Sequence, residues 1–240
     1  MKTHQSKISQ SGFSLLEVLV SSIIGSIAIA GIMTFFINTM QSNSDGLKEI
    51  RLNQELRALL DVMVRDIRRS GYWRNADGVT YNIYANDENA LKVSSNGNCI
   101  TYSYDNFKIN DSKADIVQNS DAAGFRLINN TIKIRRNSST CDSSRNWESL
   151  SDVSAINITA LNFKITPVCI NISSPILPTN IQRGCKADGG PGNLLAREAN
   201  DTLATINKVT IKLSGELASD PSVSAMDIIE IVTVRNSILL

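Results

Sequence analysis

The chain changes its hydrophobic rhythm twice. From Phe13 to about Ile37 it is almost continuously apolar, and between Lys7 and Asp45 the only charged side chain is Glu17. About 20 apolar residues, at ~1.5 Å rise each, cross the ~30 Å of hydrocarbon in a bilayer, so this run predicts a membrane-spanning helix. Residues 38–46 are polar and poor helix formers, which predicts a bend or fraying where the helix leaves the lipid. From Leu47 a helical period resumes. Leu52, Leu56, Leu59, Leu60, Met63 and Ile67 recur at three- and four-residue steps and predict one apolar face. Asp61 and Arg65 are spaced to pair on the polar side. Arg65, Arg68 and Arg69 crowd the last turn, where the helix dipole favours cations, and Gly71 is placed to stop it.

After Tyr72 the period becomes two. Short β-prone runs alternate with Asn, Asp, Ser and Gly clusters. The expected strands are Leu91–Ser94, Cys99–Tyr104, Gly124–Ile128, Thr131–Arg135, Ala155–Ile165, Thr205–Ser214 and Asp227–Arg235. Thr131–Arg135 alternates cleanly and is expected half-exposed. Asp227–Arg235 is apolar on both faces, which places it centrally in a sheet. These patterns give an α+β chain, with one long N-terminal helix packed on an antiparallel-rich β domain.

Glu17 is what the apolar run must explain. A carboxylate at the centre of a membrane helix costs roughly 2.5–3.5 kcal/mol, and no Lys or Arg in the run can pair with it. A secretory signal has a short apolar core followed by a small-residue cleavage site, and neither is present. A plain anchor leaves Glu17 unused. Gly12-Phe13-Ser14-Leu15-Leu16-Glu17 resembles the class III signal of type IV pilins and type II secretion pseudopilins. That resemblance implies cleavage after Gly12 by a prepilin peptidase, N-methylation of Phe13, and pairing of Glu17 with the terminal amine of a neighbouring subunit. An unpaired buried charge is costly and a paired one is tolerated, so such a pair selects register.

A second segment, Asp66-Ile67-Arg68-Arg69-Ser70-Gly71-Tyr72, is similar to the helix end of PilW-type minor pilins and in part to that of J-type pseudopilins. Major pilins usually carry a proline in the helix, whereas the first proline here is Pro167, which points away from the major subunit. The expected layout is a leader over 1–12, a transmembrane half-helix over 13–40, an amphipathic half-helix over 41–70 and a β-rich domain over 71–240. The implied partners are other minor pilins, the major pilin, the prepilin peptidase, the inner-membrane assembly platform and, before assembly, lipid. The implied location is a single pass through the inner membrane with the N-terminus cytoplasmic, and then the pilus. The rival readings are a J-type pseudopilin and, from another class, a membrane-anchored periplasmic binding protein or adhesin.

Composition narrows the chemistry. Twenty-four Lys and Arg against 23 Asp and Glu give a net charge of +1. Loss of Lys2 and Lys7 with the leader leaves 22 against 23, or −1, and no nucleic-acid footprint. The single histidine, His4, lies in the leader, so the processed chain offers no His-based triad or metal site. Neither an enzymatic activity nor a cofactor or metal is expected. Loop carboxylates Asp87, Glu88, Asp105, Asp111 and Asp115 fit no EF-hand and read as solvated. Asp188–Gly192 lacks the Lys and the strand–helix frame of a phosphate loop. Trp73 and Trp147 read as packing residues. Cys99, Cys141, Cys169 and Cys185 all follow the apolar run, on the oxidising side, which predicts two disulfides. Four cysteines allow three connectivities, of which the sequential one, Cys99–Cys141 and Cys169–Cys185, is favoured because it closes the shortest loops. The segment 173–200, rich in Pro and Gly, is expected to form a long loop.

Overall fold

The computed structural model describes residues 12–74, 82–85, 90–106, 116–135, 137, 140–172, 202–220, 225–236 and 238–239. Asp87, Glu88, Asp111, Asp115, Cys185 and the 173–200 segment with its Asp188–Gly192 turn lie outside these. Helix α1 covers Leu15–Ile67. The chain divides into two compact units, one up to Lys48 and one from Glu49 onward.

The first unit is helical, and its apolar side chains are exposed along the whole run, from Phe13 and Leu15 to Phe36 and Met40. The expected break over 38–46 is absent, since α1 continues through these residues. Adding a residue to an existing helix is far easier than starting one, so weak formers between two strong helical segments are carried along. Asp45 and Lys48 add an exposed pair at 3.2 Å.

In the second unit α1 buries Leu52, Leu56, Leu59, Leu60, Met63 and Ile67, the face read from the sequence. Two antiparallel sheets receive it. The first is a meander of β1 (Lys92–Val93), β2 (Cys99–Ser103), β3 (Ala122–Ile128), β4 (Thr131–Arg135) and β5 (Trp147–Ser149), in that order. The second has β6 (Ile156–Asn171), β7 (Leu203–Leu217) and β8 (Met226–Thr233) in order, with β9 (Ile238–Leu239) also on β7. One core joins the helix face to Ile100, Phe125 and Ile132 of the first sheet and to Phe163, Ile211, Leu213 and Val232 of the second. Strand β7 comes so close to α1 that a side chain at Gly215 would meet Leu56 at 2.9 Å. The β3–β4 turn uses Asn129 and Asn130, both at positive φ, the conformation a two-residue hairpin demands.

Two expectations about strands change, and β5 and β9 are additional. Strand β6 does not stop before Pro167 but runs to Asn171, because among the described residues it pairs only with β7, and an edge strand tolerates a residue without an N–H. Strand β8 is not central. It lies at an edge, and Ile229 and Ile231 are 57% and 60% exposed. Strand β5, three residues long, was too short to show a period.

Candidate assembly site and the end of the helix

Gly12 and Phe13 precede the first turn of α1, and Phe13 is exposed. Ser14 opens the helix, its carbonyl accepting from the Glu17 and Val18 N–H groups at 3.0 and 3.2 Å. Glu17 therefore sits in the first turn, where the free N–H groups of the helix favour a negative charge. Five hydroxyls along the apolar run and just past it are satisfied from within. Ser21, Ser22, Ser26, Thr34 and Thr39 each donate to a backbone carbonyl three or four residues back, at 2.7–2.9 Å. In lipid such internal bonds are the only ones on offer. The Glu17 carboxylate has no such bond and no ion pair among the described residues. The polar group that most needs a partner is thus the one the helix leaves open.

In the second unit, the helix-end segment folds into a tightly bonded knot. Asp66 accepts hydrogen bonds from the Tyr102 and Tyr104 hydroxyls at 2.6 and 2.8 Å. Ile67 is fully buried. Arg69 lies 3.9 Å from Asp66 and 4.1 Å above the Tyr104 ring, a cation–π contact. The ion pair at this end of α1 is Asp66–Arg69, not Asp61–Arg65. Gly71, at φ +72°, turns the chain out of the helix and donates its N–H to Ser103 at 2.8 Å. Asn236, from just beyond β8, donates to the carbonyls of Arg69 and Ser70 at 3.4 and 2.9 Å, closing the helix end.

Burial pushes the Tyr102 phenol well above its usual range, and the Asp66 carboxylate adds to the shift. The folded state therefore keeps a proton that the unfolded chain loses near pH 10. Stability is complete below that pH and falls as pH rises past it. A Tyr102→Phe variant is expected to flatten this alkaline decline, read from unfolding curves between pH 8 and 11.

Residues 7–33 match the prokaryotic N-terminal methylation motif. Residues 45–234 match the family described as prepilin peptidase-dependent protein B. The chain belongs to that family. A protein of that name from Escherichia coli K12 is 23% identical over 181 residues, covering 75% of this chain and 90% of the relative. No solved structure matches. As a pilin-like member of the prepilin peptidase-dependent protein B family, the chain has an N-terminal apolar helix with a class III signal motif, consistent with anchoring in the inner membrane.

The disulfide of this family member joins Cys99 of β2 to Cys141, as expected, with Cα atoms 6.0 Å apart. Cys169 is also disulfide-bonded. Beside the first bridge, the buried Arg126 donates to the carbonyls of Cys141 and Ser143 at 2.7 and 2.6 Å and stacks 4.4 Å over Trp147. Trp147 is a packing residue, its indole N–H reaching Thr140 at 3.3 Å. Asp105 is not solvated. It is buried and held by Arg74 at 3.1 Å. Sequence reading missed the roles of Tyr102, Tyr104, Arg126 and Asn236. The two tyrosines carried a signal, because residues two apart on a strand share a face.

Proposed function

We propose that this chain is a minor pilin of the PilW type, an assembly subunit rather than an enzyme, which helps initiate a type IV pilus in a complex with other minor pilins. The observation that carries this reading is the carboxylate of Glu17, without a partner among the described residues, at the head of a membrane-length helix, five residues after Gly12. In this reading prepilin peptidase cuts after Gly12 and leaves Phe13 as a methylated N-terminus. Residues 13–40 hold the chain in the inner membrane with the leader cytoplasmic and the β domain periplasmic. Residues 41–70 and 71–240 form the subunit body. The assembly platform then moves it out of the lipid, and Glu17 meets the terminal amine of a neighbouring pilin. The family membership and the methylation motif support this course.

A Gly12→Val variant is expected to stay uncut, because a branched side chain replaces the open position at the scissile bond. The N-terminal mass of the membrane-extracted protein checks this. The role itself is tested by a clean deletion, scored in parallel for surface pili with twitching and for type II enzyme secretion. Loss of pili with secretion intact is expected. Loss of secretion with pili intact would make the chain a J-type pseudopilin, which shares the same N-terminal motif. If neither changed, an anchored binding protein would be the better reading.

A further inference from the structure

Strand β8 is paired on one side only among the described residues, and its free side has a definite chemistry. The Val234 N–H bonds to Asn207 of the β7 side at 2.9 Å, and the β7–β8 register runs without a shift from there to Met226. In an antiparallel ladder a residue turns both its N–H and its C=O to the same neighbour, and the direction alternates along the strand. Residues of Val234's parity therefore serve β7, whereas Asp227, Ile229, Ile231 and Thr233 present their backbone groups to the open edge. Natural edges are normally guarded by lysine, proline or a bulge. Here the edge is eight residues long and regular, without Lys or Pro, and carries the exposed Ile229 and Ile231 beside the acidic Asp227 and Glu230.

On the helix side, two grooves lie between α1 and this strand. One, of about 400 Å³, is bounded by Ile50, Asn53 and Met226. The other, of about 740 Å³, is bounded by Arg65, Arg68, Arg235, Asp61 and Glu230. The guanidinium groups of Arg65, Arg68 and Arg235 make no ion pair among the described residues. Their backbone is locked, with the Arg235 N–H donating to the Arg68 carbonyl at 3.4 Å. The helix dipole accounts for Arg65 and Arg68 in a last turn. It does not account for Arg235, which arrives from the strand.

We propose that the open edge of β8 receives an extended segment of another subunit, added as a strand along the slot between β8 and α1. The two sides of the slot dictate its pattern. Alternate residues of an added strand face opposite ways. Those on the outer face lie beside Ile229 and Ile231 and are apolar. Those on the helix face meet Arg65, Arg68 and Arg235 and carry carboxylates. The in-cell part of this proposal rests on the assembly reading above, whereas the slot chemistry does not.

The test uses the full chain in detergent and a fluorescein-labelled, end-capped ten-residue peptide alternating Val and Glu. The peptide is expected to bind, and the amides of Ile229 and Ile231 to change from fast to slow hydrogen exchange. Replacing its Glu by Lys, or making Arg68→Glu with Arg235→Glu, is expected to weaken binding at least tenfold. Ile231→Pro is expected to do the same with the fold intact, because its N–H points away from β7. No binding, binding indifferent to the charge reversals, slow exchange of these amides in the chain alone, or self-association through β8 would each overturn the proposal. In cells the Ile231→Pro chain is expected to be cut after Gly12 yet incorporated at least tenfold less. Peptide binding alongside a deletion without any assembly defect would overturn the assembly reading and leave the slot standing.

Discussion

A Glu17→Ala chain is expected to be synthesised, inserted and cut after Gly12, while its incorporation into the fibre falls tenfold or more. The reason is a difference between two states. In the bilayer the wild-type carboxylate has no partner among the described residues, and a charge in a membrane helix is costly, roughly 2.5–3.5 kcal/mol at its centre and less toward its head, where Glu17 sits. Pairing with an amine on a neighbouring subunit relieves that cost, so the fibre is favoured over the free subunit. Alanine removes both the cost and its relief. Only about 1.4 kcal/mol of lost preference is needed for a tenfold fall. Glu17→Gln keeps the shape, loses the charge, and is expected to fail in the same way. The measurement is the ratio of variant to wild type in sheared fibres, normalised to the membrane pool. Incorporation at the wild-type level would remove Glu17 from the mechanism.

Removing the Cys99–Cys141 bridge, as a double Cys→Ser variant, is expected to cost the β domain about 4 kcal/mol. The bridge spans a sequence separation of 42 residues. On the chain-entropy account, closing a loop of that size in the unfolded state is worth roughly 4 kcal/mol. Domain stabilities are about 5–15 kcal/mol, so this is a large share. For a domain of this size each kcal/mol moves Tm by ~2–4 °C, which puts the fall near 10 °C. Thermal unfolding of wild type and variant checks it. A shift under about 2 °C would mean that Arg126 and Trp147 hold the 140–147 segment without help from the bridge.

How much of this was legible depended on the range of the interactions. The buried face of α1 was fully readable, because burial at three- and four-residue spacing leaves a local trace. So was Gly71, whose positive φ is a property of one residue. Most strands followed from period two. What failed was decided by neighbours distant in sequence. Asp227–Arg235 is apolar on both faces, yet apolarity does not say whether a strand is covered by its own chain or left for another. The length of β6 beyond Pro167 depended on its lying at an edge. The site at residues 12–17 was readable as a motif. The knot around Asp66 was not, since its tyrosines come from β2 and the residue just after it, 36 and 38 residues later.

The seal on the helix end has a consequence in time. Arg69 leaves the ribosome early, but Asn236, which closes the turn after it, follows 167 residues later. At roughly 5–20 residues per second the cap arrives about 8–33 s after the group it covers. During that interval the helix end and the sheet edge beside it are both unclosed. For nearly all of it β8 is also still unmade, so premature pairing falls on the edge of β7 that β8 later covers.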